Sequence, residues 1–121
     1  MPAGAFRVHV IDDDEAVRES LEALLVVSGF EVATYRSAEE YLGRAEEPEG
    51  CLLLDVNMPG MSGLDLMRAL ARRGREVPVL VLTASREPRL RNRAFELGAR
   101  AFLTKPVPEA ALMAALHAAQ A

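Results

Sequence analysis

One feature limits this chain more than any other: short apolar runs alternate with longer stretches of helical periodicity from one end to the other. Phe6 to Ile11 is apolar and β-branched, as a strand requires, and it ends on the acidic run Asp12-Asp13-Asp14-Glu15. Val17, Leu21, Leu24 and Leu25 then repeat at helical spacing, and Gly29 stands where that helix should stop. Glu31 to Tyr35 is a second short strand. Ser37 and Glu40 have the spacing of a capping box, which opens a helix through about Glu46. Cys51 to Leu54 is apolar without interruption, the pattern of a strand covered on both faces, and it ends at Asp55. A loop over 57–63 leads into a helix marked by Leu64, Met67 and Leu70 and stopped by Gly74. Val79 to Leu82 is a fourth buried strand, followed by a helix that Gly98 closes. Ala101 to Leu103 is a fifth strand, and Glu109 to about Ala119 is the last helix.

Five strands alternating with five helices predict an α/β fold: a doubly wound, five-stranded parallel sheet with helices on both faces. A length of 121 residues fits a single domain spanning 1–121, with its core over about 6–119 and no output domain in this chain. Half of the residues are hydrophobic, enough to fill such a core. No apolar stretch approaches the roughly 20 residues that span a bilayer, and Met1 to Arg7 lacks the apolar centre of a signal peptide. The formal net charge of −4 offers no whole-chain attraction to nucleic acid or anionic lipid. A single cysteine, Cys51, excludes an internal disulfide and suits the cytoplasm, the expected location.

In doubly wound sheets the ligand site lies beyond the carboxyl ends of the strands. That rule brings Asp12 and Asp13, Asp55, Thr83 and Lys105 to one edge, although they are far apart in sequence. Three carboxylates in one cleft repel each other unless a cation is present. Oxygen donors alone suit a hard divalent ion such as magnesium. Each residue also has a plainer reading. Asp12 and Asp13 could cap the first helix, Lys105 could be a solvated surface charge, and Thr83 could be only a β-branched strand residue. Taken together, a metal, a carboxylate nucleophile, a hydroxyl and a lysine make a site fit for phosphoryl transfer.

The sequence resembles the receiver (CheY-like) domains of two-component response regulators, and most closely those of the FixJ type. The resemblance runs from about Val8 to Leu116. It is carried by V-I-D-D-D-E at 10–15, L-L-L-D-V-N-M-P-G-M-S-G at 52–63, V-L-V-L-T-A at 79–84 and G-A-R-A-F-L-T-K-P at 98–106. The resemblance implies that Asp55 is the phosphoacceptor, supplied by a sensor histidine kinase or a phosphotransfer protein. It implies that Asp13, Asp55 and the backbone carbonyl of Asn57 bind Mg2+ directly, with Asp12 acting near the metal through water. Lys105 would pair with the phosphoryl group, and Thr83 would hydrogen-bond to it after a shift. Phe102 matches the family's switch aromatic, and the Lys105–Pro106 bond is commonly cis in the family. Receivers of this type often precede a helix-turn-helix domain, which implies a DNA-binding transcriptional regulator; a phosphorylation-dependent homodimer, or an output-domain contact, is expected of the face that the Arg86 to Arg93 segment presents. A stand-alone receiver is the alternative.

The remaining polar residues read as follows. His9 and His117 lie outside the cleft as structural or surface residues, and Cys51 acts as a small buried hydrophobe. Arg86, Arg89, Arg91 and Arg93 form a basic cluster on the fourth helix, read as a solvated face or as a partner surface. Asn57 and Ser85 flank the approach of water to Asp55. Two other classes remain as competitors. A phosphatase of the haloacid-dehalogenase type would need an acid where Asn57 stands. A flavodoxin-like cofactor binder would need a Ser/Thr/Gly-rich loop in place of Asp12 to Glu15.

Overall fold

The structure, a computed structural model, describes residues 6–44 and 50–120. Its elements alternate strictly: β1 (Arg7–Ile11), α1 (Glu15–Val27), β2 (Glu31–Tyr35), α2 (Ala38–Arg44), β3 (Cys51–Leu54), α3 (Gly63–Arg72), β4 (Val79–Thr83), α4 (Pro88–Glu96), β5 (Ala101–Thr104) and α5 (Glu109–Gln120). The strands form one sheet in the order β2-β1-β3-β4-β5, and every pairing is parallel.

Successive residues of a strand face opposite sides of its sheet, and the core divides accordingly. Ile11, Leu52, Leu54, Val79 and Val81 pack with Tyr41 of α2, Leu66 and Leu70 of α3 and Ala94 of α4. Val8, Val10, Cys51, Leu53, Leu80 and Leu82 pack on the other side with Leu25 of α1 and Leu112 and Leu116 of α5. Both faces of β3 are therefore covered, which is why its four residues are all apolar and all buried.

Helix boundaries follow local chemistry. Gly29, Gly74 and Gly98, the three expected stops, have φ of 95°, 69° and 103°, a conformation that glycine adopts without a steric penalty. Ser37 accepts from the backbone N–H of Glu40 as the capping box requires, but the Glu40 carboxylate accepts from the N–H of Arg36, one residue before the expected partner. α2 ends at Arg44, and its expected end, Glu46, lies outside the described residues. A complete capping box instead opens α3, between Ser62 and Asp65, where the sequence also has the required spacing. Three strand boundaries differ by one residue from expectation, the first being that of β1, which begins at Arg7 rather than Phe6. Thr83 is the last residue of β4 rather than the first beyond it, and Thr104 extends β5, because the two strands stay paired as far as Thr83 and Thr104. Arg86 precedes α4, which begins at Pro88, a residue suited to a first helical position because its missing N–H has no helical partner there. Arg89, Arg91 and Arg93 lie on the helix, and all four arginines are exposed.

The strand order places the site. From β1 the chain moves to one side to form β2, then returns across β1 to form β3. The loops leaving β1 and β3 therefore diverge and open a crevice between them.

Candidate functional site

Ile11 and Leu54 are register partners on neighbouring strands, and the Asp55 N–H donates to the Ile11 carbonyl at 3.0 Å. Asp12 and Asp55 thus leave the sheet side by side. On the far side of β4, the Lys105 N–H donates to the Thr83 carbonyl at 2.8 Å, which carries the ladder past β5 and brings Lys105 to the same edge.

The side chains converge there. Asp12, Asp13 and Asp55 each offer a carboxylate oxygen, and these oxygens lie within 4.8 Å of one another. Asp12 and Asp55 are buried, at 3% and 8% exposure, while Asp13 is open to solvent. The two buried carboxylates are held in the same way. Asp12 Oδ1 accepts from the N–H of Asp14 at 2.9 Å, and Asp55 Oδ1 accepts from the N–H of Asn57 at 3.0 Å, each a turn closed by an aspartate two residues back. Their Oδ2 atoms face Lys105 Nζ, at 2.9 Å from Asp12 and 3.8 Å from Asp55. Burial raises the Asp55 carboxyl above its ordinary range; the Asn57 N–H and the Lys105 ammonium act against this, and the charges of Asp12 and Asp13 add to it.

Thr83 is fully buried. Its Oγ1 accepts from the Asn57 side-chain amide and from the Ser85 N–H, both at 3.2 Å, so the hydroxyl ties the β3–α3 loop to the β4–α4 loop. Phe102 is half-buried on β5, opposite Val81, and packs against the α2–α3–α4 side of the core. The Lys105–Pro106 bond is cis. Asp14 is the N-cap of α1, accepting from the Val17 N–H at 3.2 Å. Capping therefore does not account for Asp12 and Asp13.

Two charged residues that the sequence does not distinguish from solvated helix positions brace this edge. Arg18 Nη1 donates to the Asp12 backbone carbonyl at 2.7 Å, and Glu39 Oε2 accepts from the Met61 N–H at 3.2 Å. Away from the cleft, His9 is buried and bonded through Nδ1 to the Tyr35 hydroxyl at 3.0 Å. His117 is exposed and lies against Phe30. Burial pushes the Cys51 thiol up to about 12, so it forms almost no thiolate near neutral pH. Among the described residues, no helix is long and apolar enough to cross a membrane.

A flavodoxin-like sheet with an acidic, lysine-bordered cleft at its switch point defines a class of α/β signalling domain. The chain belongs to the response regulator receiver domain family, which matches residues 8–117. It is thus a receiver domain of two-component response regulators, a signalling switch. It is 46% identical over 112 residues to the transcriptional regulatory protein FixJ of Azorhizobium caulinodans, covering 92% of this chain and 53% of that protein. It is 37% identical over 113 residues to the response regulator protein TodT of Pseudomonas putida, covering 93% of this chain and 50% of that protein. The solved structure of FixJ-N superposes with a TM-score of 0.89 at 34% identity, covering 96% of this chain and 94% of that one. The chain spans about half the length of the curated relatives it matches.

Proposed function

We propose that Asp55 accepts a phosphoryl group from a sensor histidine kinase or phosphotransfer protein, in a reaction that needs Mg2+ in the acidic cleft, and that residues 1–121 form a single cytoplasmic receiver domain. The observation that carries this reading is the convergence of three carboxylates within 4.8 Å beside the Lys105 ammonium. The donor set fits a hard divalent ion: all ligand atoms are oxygens, and the exposed Asp13 leaves room for retained water. Asp13, Asp55 and the Asn57 carbonyl would hold the ion directly, with Asp12 acting through water. When bound, magnesium would supply positive charge to phosphoryl oxygens as the bond to the donor breaks.

The chain's own groups account for the remaining steps. A carboxylate oxygen of Asp55 attacks phosphorus, the P–N bond of a phosphohistidine breaks, and the imidazole leaves with a proton from solvent. Lys105 moves from Asp12 toward the new phosphoryl group, and the Thr83 hydroxyl donates to one of its oxygens. Phe102 turns into the space this opens, and the surface made by α4, β5 and α5 changes. The name of the FixJ relative, a transcriptional regulatory protein, supports a transcriptional output, with DNA bound by a further domain rather than by these residues.

Incubation with acetyl phosphate and Mg2+ tests the site by intact mass. One phosphoryl group is expected on the wild-type chain. Asp55→Asn removes the adduct, EDTA prevents it, and Asp13→Ala slows it by about tenfold or more through loss of a hard oxygen ligand. Lys105→Ala leaves metal binding largely intact and impairs the switch. A full-strength adduct on Asp55→Asn overturns the assignment.

A further inference from the structure

We propose that Arg18 is a positioning residue that sets the β1–α1 loop so that Asp12 and Asp13 present their carboxylates to a divalent cation. The proposal rests on the metal reading above. Arg18 is the fourth residue of α1, and its side chain turns back across the first helical turn rather than out into solvent. Its Nη1 donates to the Asp12 carbonyl at 2.7 Å. That carbonyl belongs to the planar peptide joining Asp12 to Asp13, so holding it restricts the directions in which both side chains leave the backbone.

The charge of Arg18 is badly placed for the helix alone, because a cation near a helix N-terminus meets the positive end of the dipole. The neighbouring Asp13, Asp14 and Glu15 offset that cost, and the contact with Asp12 gives the side chain a position in the loop. Asp12 is held at four atoms, its N–H by the Tyr35 carbonyl, its own carbonyl by Arg18, Oδ1 by the Asp14 N–H and Oδ2 by Lys105. The last two act on the Asp12 carboxylate. Arg18 acts on the peptide that leads into the exposed Asp13.

A bystander charge and a positioning residue predict opposite signs. Removing a cation beside three carboxylates should tighten a divalent ion, and salt should erase the effect. Removing a group that orients the loop should weaken the ion at any salt concentration.

The test is calorimetric titration of Mg2+ into the full chain at roughly 0.05 M and 0.5 M salt, with thermal unfolding of each variant alongside. Arg18→Ala is expected to bind Mg2+ about fivefold more weakly at both salt concentrations, a loss in the range of one partly exposed charge-assisted hydrogen bond. Arg18→Lys retains a donor for the Asp12 carbonyl and is expected within about twofold of wild type. If Arg18→Ala does not fold, Arg18→Gln, too short to keep the bond, carries the same prediction. Binding by the Ala or Gln variant as tight as wild type, or tighter, overturns the role of Arg18 alone. A wild-type chain that binds no Mg2+, or an Asp13→Ala variant that binds like wild type, overturns the metal reading and this proposal with it.

Discussion

The role proposed for Asp55 sets two demands that oppose each other. A nucleophile must be ionised, yet this carboxylate is buried beside two others. Burial, the largest effect, raises its pKa above the value of about 3.9 that an unfolded chain shows. The folded chain therefore holds this proton more tightly than the unfolded chain. In acid below the unfolded value both states are protonated and the site costs nothing. As pH rises through the higher folded value the buried charge forms, and the folded state loses stability. Asp55→Asn should thus raise the Tm at pH 7 in metal-free buffer, and the difference should shrink as pH falls toward about 4. Calorimetry across that range checks the sign, and a variant no more stable than wild type at pH 7 contradicts it. Lys105 limits the cost without removing it, since its shorter contact is with Asp12 rather than with Asp55.

At the level of elements, the turn from β3 into α3 governs the site, because it carries Asp55 and Asn57 within a few residues. Ser62 and Asp65 cap α3 reciprocally, and Glu39 reaches from α2 to the Met61 N–H. Gly63 is the tight point. A Cβ there would lie 2.8 Å from both the Asp55 carbonyl oxygen and Val56 Cα, which are backbone atoms that cannot turn aside. Gly63→Ala should therefore push α3 away from the end of β3 and destabilise the fold by about 2 kcal/mol, as overpacking does. Urea unfolding measures the loss. The same variant should slow adduct formation on Asp55, since the displaced atoms include its own carbonyl. A change below about 0.5 kcal/mol, the ordinary scatter of surface substitutions, would mean the turn yields easily.

For the whole molecule, the question is how a group added at one edge reaches a partner. Thr83 and Lys105 stand at the cleft ends of β4 and β5, and Phe102 is half-buried on β5. The exposed α4 arginines lie beyond that strand, with Arg91 over the Phe95 ring. In the proposed switch, a phosphoryl group that draws Thr83 and Lys105 inward would favour a packing with Phe102 turned in, and a few kcal/mol of differential binding is enough to shift such a two-state equilibrium. Beryllofluoride with Mg2+ should therefore change amide exchange over residues 84–107, and light scattering should report a larger mass if the altered α4–β5–α5 surface dimerises. If neither responds, this output surface is wrongly assigned while Asp55 can remain the acceptor.

The order of strands and helices was legible in the sequence because its causes are local. Apolar runs of four or five residues, helical repeats and glycines past helix ends act within a few residues of where they stand. The cleft was legible as well, since the rule for strand ends brings Asp12, Asp13, Asp55, Thr83 and Lys105 together from topology alone. Only the tertiary structure decided how those groups divide their contacts. It selected Asp14 as the helix cap and set Lys105 closer to Asp12 than to Asp55 across 93 positions of chain. It also engaged Arg18 and Glu39, which the sequence leaves among the solvated charges. Periodicity shows which face of an element is buried. The direction taken by a long charged side chain depends on which backbone group lies across from it, and that is settled only when distant segments pack.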